Sequence, residues 1–127
     1  MKKPDLKKIL LATSNLGKLM EFKKILDSNK YNLISLDSLQ LPPPEETGLT
    51  FVENAIIKAR AACQASGLPS IADDSGLIVP ALKGAPGIYS ARFAGANATD
   101  QENREKLLNE IQSISPEKRQ AYFYCAI

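Results

Sequence analysis

Ile9-Leu10-Leu11-Ala12-Thr13-Ser14-Asn15-Leu16-Gly17-Lys18-Leu19-Met20-Glu21-Phe22-Lys23-Lys24-Ile25-Leu26 changes its period half-way along. The first four residues form a short apolar run of strand length, and Ser14, Asn15 and Gly17 supply a turn. Beyond it Leu19, Phe22, Ile25 and Leu26 recur at helical spacing. A strand that runs through a polar turn into a helix opens an α/β arrangement. Tyr31, Leu33, Ile34 and Leu36 suggest the next strand, ended by Asp37, Ser38 and the rigid Pro42-Pro43-Pro44 turn.

Two helix starts follow from local chemistry. Thr50-Phe51-Val52-Glu53 has the capping-box pattern, in which the threonine hydroxyl accepts from the glutamate amide and the glutamate reaches back. It predicts a helix to about Ser66 with Gly67 as its stop and a buried stripe of Ala55, Ile56, Ala59, Ala62 and Cys63. Thr99-Asp100-Gln101-Glu102 repeats the pattern and predicts a helix whose Leu107, Leu108 and Ile111 face the core, ending near Ser115-Pro116. Ala121-Tyr122-Phe123-Tyr124-Cys125-Ala126-Ile127 reads as a buried strand in which the sequence stops without a turn, as though a larger protein were cut there. Strands alternating with helices give an α/β fold with a sheet covered by helices.

Composition narrows the function. A chain of 127 residues with 44% hydrophobic and 24% charged residues suits one soluble domain spanning 1–127. Sixteen Lys and Arg against fourteen Asp and Glu leave a net charge of +2. That balance provides no broad basic field, and no aromatic stacking platform accompanies the N-terminal lysines, so a nucleic-acid partner is not expected. Cys63 and Cys125 lack C-x-x-C spacing and the chain has no histidine, which excludes thiolate/imidazole metal sites and histidine-based triads. Residues 1–8 carry four lysines, but the apolar run behind them is too short for a signal peptide or a membrane span. The expected setting is cytoplasmic, with reduced thiols.

Three segments could carry chemistry. Thr13-Ser14-Asn15-Leu16-Gly17-Lys18 joins strand to helix, where free amides and the positive end of the helix dipole attract phosphate and Lys18 adds a mobile charge. It is not a Walker A loop, and the plain alternative is a turn capped by Ser14 or Asn15. The second segment is acidic: Glu45 or Glu46, with Asp73 and Asp74 in I-A-D-D-S-G (residues 71–76). Hard carboxylate oxygens favour magnesium, which takes one or two carboxylates and leaves its other positions to water and phosphate. A strand delivers neighbouring side chains to opposite faces, so Asp73 and Asp74 suggest one reacting and one supporting acid. The plain alternative is solvated glutamates and an aspartate capping the Ser75-Gly76 turn. The third segment, residues 83–95, is a glycine-rich loop with Tyr89, Ser90, Arg92 and Phe93, where Arg92 could meet a phosphate or pair with a nearby carboxylate.

In order and spacing, the loop 13–18 with Glu21, the run E-E-T-G-L-T-F-V-E-N-A (residues 45–55) with Lys58-Ala59-Arg60, and residues 71–95 closely resemble the inosine/xanthosine triphosphate pyrophosphatase family. The resemblance implies a two-lobed α/β fold with a long mixed central sheet flanked by helices, here with the second lobe largely absent. It implies hydrolysis of ITP, dITP and XTP to the monophosphate and pyrophosphate, with magnesium, by a homodimer. Thr13, Ser14, Asn15, Leu16, Gly17 and Lys18 would bind the triphosphate and Lys58 would add positive charge. Glu45 and Asp74 would hold the metal, Asp74 would accept the proton of the attacking water, Ser75 would contact substrate, and Asp73 would support them.

The sequence departs from that family at two places. Ser14 stands where a glycine is often found, which tightens the backbone without removing an amide donor. The family also continues with a G-F-G-Y-D segment, a further lysine and an S-H-R motif, none of which is present here. The competing expectation is therefore a truncated remnant that binds nucleotide or dimerises without turnover. An apolar strand edge at residues 122–127 would favour association or marginal stability.

Overall fold

A computed structural model describes residues 5–127; Met1, Lys2, Lys3 and Pro4, with two of the four N-terminal lysines, lie outside the described residues. The chain is α/β, and its residues gather into two compact units, one ending at Asp73 and including Ile127, the other Asp74–Ala126.

The first unit is built on a parallel sheet. β1 (Lys7–Leu11) leads into α1 (Leu16–Ile25), β2 (Tyr31–Ser35), α2 (Phe51–Ser66) and β3 (Ser70–Ile71), with strand order β2-β1-β3. The period change read at Ser14 to Gly17 is the passage from β1 to α1. β1 is central and its apolar half is enclosed: Leu10, Leu11 and the following Ala12 are buried. Leu10, Ala12, Leu36, Ala62 and Ala72 form the core, with Ile34, Leu41, Ala59 and Leu68 packed around them. Each fully buried leucine contributes about 1.5–3 kcal/mol.

α2 starts and stops where its sequence says. Thr50 Oγ1 accepts from the Glu53 amide at 3.1 Å, and Gly67 closes the helix at φ 71°, a left-handed conformation that glycine adopts without strain. The box is only half made, because Glu53 Oε2 accepts from the Leu49 amide instead of from Thr50. The expected stripe is also rotated. Ile56 and Cys63 are exposed, whereas Asn54, Ala55, Lys58 and Ala62 are buried. Polar side chains occupy the inner face because each meets a partner there, which apolar periodicity does not register.

The second unit pairs β4 (Asp74–Ile78) antiparallel with β5 (Tyr122–Ala126), Leu77 opposite Phe123. Parallel and antiparallel pairs are thus both present, in separate sheets. The outer side of β4 is closed by the 3-10 segment Gly87–Arg92: Ser90 Oγ accepts from the Leu77 amide at 2.9 Å and donates to Gly87 O at 2.7 Å. Pro86 bridges Ile78 on that side, and the Ala85-Pro86 bond is cis. α3 (Asp100–Ile111) opens with the complete capping box of Thr99 and Glu102. Asn103 ties it to the preceding segment, accepting from the Ala94 amide at 2.8 Å and donating to Ala91 O at 3.0 Å.

Two expectations about burial fail in this unit. Leu108 points to solvent, while Leu107 and Ile111 are half-buried. β5 is exposed rather than buried, Phe123 being 84% accessible, because its only strand neighbour among the described residues is β4. Apolar composition alone does not bury a strand; burial requires an opposing face.

Candidate functional site

Parallel strands end on a common edge. Leu11 pairs with Ile71, so the chain leaving β1 and the chain leaving β3 emerge side by side, at the carboxyl edge where open α/β sheets take ligands. The Ala12 amide donates to Ile71 O at 2.8 Å and the Thr13 amide turns back to Leu11 O at 2.9 Å. Thr13 Oγ1 then accepts from the Asn15 amide at 3.1 Å, and Asn15 Oδ1 accepts from the Lys18 amide at 3.2 Å. Asn15, not Ser14, caps α1. The cap engages the third helical amide, and among the described residues those of Leu16 and Gly17 are left as open donors at the positive end of the helix. A side chain at Gly17 would crowd Asn15 Oδ1, at 3.1 Å from its first carbon.

Lys18 closes the site from the helix. Its Nζ lies 2.9 Å from Asp73 Oδ2, a carboxylate only 5% exposed, so a charge buried beyond β3 meets the first turn of α1. Asp73 and Asp74 are both 4% accessible. Asp74 opens β4 opposite Ala126, and half-buried Ser75 follows opposite Cys125.

A second group of polar contacts lies on α2. Lys58 is 7% accessible and its Nζ sits 3.0 Å from Glu46 Oε1. One turn earlier on the same helix, Asn54 is wholly buried and its Oδ1 accepts from the Gly48 amide at 2.7 Å. The two acids of the loop therefore part company: Glu46 is held against α2, and Glu45 is exposed. Among the described residues no three His, Cys, Asp or Glu side chains cluster closely enough to hold an ion by themselves.

The structure brings Thr13, Asn15, Lys18 and Asp73 together and pairs Lys58 with Glu46. Arg92 stacks over the Tyr89 ring at 5.0 Å, and Phe93 is half-buried beneath Lys106 Nζ at 4.2 Å. The third segment is thus held by the stacking of Arg92 on Tyr89 and by Asn103 and Lys106 of α3. Asn54 was the residue missed. Its signal was present, since Asn54 and Lys58 fall four apart on the face that also holds Ala55 and Ala62.

Residues 9–127 match the Ham1 family. The chain belongs to the Ham1 family. It is 55% identical over 122 residues to a protein of Yersinia pseudotuberculosis serotype I (strain IP32953) named dITP/XTP pyrophosphatase, covering 96% of this chain and 62% of that one. The dITP/XTP pyrophosphatase of Haemophilus influenzae (strain ATCC 51907 / DSM 11121 / KW20 / Rd) is 56% identical over 120 residues, covering 94% and 62%. Among solved structures, a HAM1 protein from Coxiella burnetii superposes with a TM-score of 0.85 at 46% identity, covering 94% of this chain and 61% of that one. The Staphylococcus aureus Ham1 protein gives 0.79 at 48%, covering 94% and 60%. This Ham1 chain therefore spans 62% of the length of the curated relatives it matches. Among the described residues, no helix is long and apolar enough to cross a membrane.

Proposed function

We propose that this chain acts in the hydrolysis of deaminated purine nucleoside triphosphates, ITP, dITP and XTP, to the monophosphate and pyrophosphate. The observation that carries the reading is the loop 13–18: open helix-start amides on the carboxyl edge of a parallel sheet, with Lys18 beside them, in a chain 55% identical to a dITP/XTP pyrophosphatase. Thr13, Ser14, Asn15, Leu16, Gly17 and Lys18 would cradle the phosphates. Lys18, anchored on Asp73, would be aimed before substrate arrives, which lowers the ordering cost of binding. Lys58 would add positive charge, and Ser75 would contact the substrate.

The donor set suits magnesium, since Glu45 and Asp74 offer hard carboxylate oxygens in a chain without histidine. When bound, the ion would neutralise phosphate charge and lower the pKa of a water. Asp74 would take the proton of the water that attacks the α-phosphorus, and buried Asp73 would keep Lys18 in place. A homodimer working on the cytoplasmic nucleotide pool completes the reading. Support comes from the relatives' names and from the placement of the loop.

The test is pyrophosphate release by the purified chain from ITP, dITP and XTP beside ATP and GTP, with magnesium and with EDTA. Metal-dependent release that favours the deaminated nucleotides is expected. Folded chain that binds ITP without releasing pyrophosphate would overturn the catalytic reading in favour of a binding remnant.

A further inference from the structure

The loop 45–49 is fastened to α2 by three side chains of that helix. Asn54 Oδ1 accepts from the Gly48 amide at 2.7 Å, Glu53 Oε2 accepts from the Leu49 amide at 3.0 Å, and Lys58 Nζ pairs with Glu46 Oε1 at 3.0 Å. Asn54 is the innermost of the three, with no accessible surface. We infer that Asn54 is a positioning residue: it sets the backbone of the acidic loop and thereby fixes where Glu45 presents its carboxylate. This rests on the reading of Glu45 as a metal ligand.

Two independent observations support the assignment. Asn54 Nδ2 is buried with no hydrogen-bond partner among the described residues, so the amide is only half satisfied. A buried asparagine kept solely for stability would be expected to use both ends, since an unmet donor costs more than an apolar replacement. The end in use is the one that holds Gly48. Gly48 is in turn shaped for that contact, because a first side-chain carbon there would lie 2.8 Å from Asn54 Oδ1 and 2.8 Å from the Glu53 Cβ. Loop and helix approach so closely that neither partner can change alone.

The inference concerns an outer contact that orients a ligand, and such contacts govern metal affinity by about 10- to 100-fold. The experiment uses the whole chain with two readouts, amide hydrogen exchange of residues 45–49 and Mn2+ affinity by electron paramagnetic resonance. Asn54→Ala and Gly48→Ala should each release exchange protection at position 48, and each should weaken Mn2+ binding about 10- to 100-fold, with the double variant no worse than the stronger single one. Ala62→Gly, a change in the same helix away from the loop, is the stability control and should leave Mn2+ affinity unchanged. Unaltered exchange at position 48 in Asn54→Ala, or Mn2+ affinity that falls equally in Ala62→Gly, overturns the inference. Glu45→Gln separates it from the reading beneath it. If that change leaves Mn2+ affinity intact while Asn54→Ala still loosens the loop, Glu45 is not the ligand and the tie to Gly48 stands.

Discussion

Lys18 Nζ and Asp73 Oδ2 lie 2.9 Å apart, joining the start of α1 to the chain that leaves β3. One partner is nearly buried and the other is partly open to solvent, so the lysine brings a positive charge to a carboxylate that burial would otherwise penalise.

Lys18→Met should therefore cost about 1–3 kcal/mol of stability in urea unfolding, the range for a buried polar group that loses a partner. Lys18→Met with Asp73→Asn should recover part of that loss, because the buried carboxylate that Lys18 met no longer carries its charge. A double variant no more stable than Lys18→Met would show that the pair does not hold the loop.

Asp74→Asn should leave the circular dichroism spectrum intact while reducing kcat for ITP by about 100- to 10,000-fold, the usual contribution of a positioned proton acceptor. Full turnover in that variant would remove Asp74 from the chemistry.

The two helix starts offer a comparison. Thr99 and Glu102 satisfy each other's backbone amides, whereas Thr50 lacks the return bond because Glu53 serves Leu49. Thr99→Ala and Thr50→Ala should each lower stability by about 0.5–2 kcal/mol. Glu102→Ala should loosen α3 alone, and Glu53→Ala should instead increase hydrogen exchange at Leu49. Equal exchange at Leu49 in both glutamate variants would contradict the half-box.

Phe123→Lys should be nearly neutral for unfolding free energy, since the ring is 84% accessible, and should reduce concentration-dependent association in sedimentation. A loss of stability above about 2 kcal/mol would mean that the ring is packed in solution.

The local chemistry of the chain was legible where one residue decides one event. Ser14 to Gly17 marks the switch from strand to helix, Thr50 and Thr99 begin helices, and Gly67 ends one. What escaped was everything that depends on a distant partner. Asn54 and Lys58 are polar yet buried because Gly48 and Glu46 meet them, and Ile56, Cys63 and Leu108 are apolar or small yet exposed because no face among the described residues covers them. For the candidate site, the sequence marked the loop 13–18 and the pair Asp73-Asp74, but not that Lys18 would bind the first of those acids or that Asn54 would grip the loop of Glu45 and Glu46.

The side chain of Ser90 has one more consequence. By occupying the Leu77 amide, with Pro86 beside Ile78, it fills the place a neighbouring strand would take and offers no further pairing there. Among the described residues, β5 pairs with no strand other than β4. At Leu77 and Ile78 the β4 edge is thus closed to a further strand by a side-chain hydroxyl and a proline, a stop written into side chains where a third strand would otherwise have met backbone.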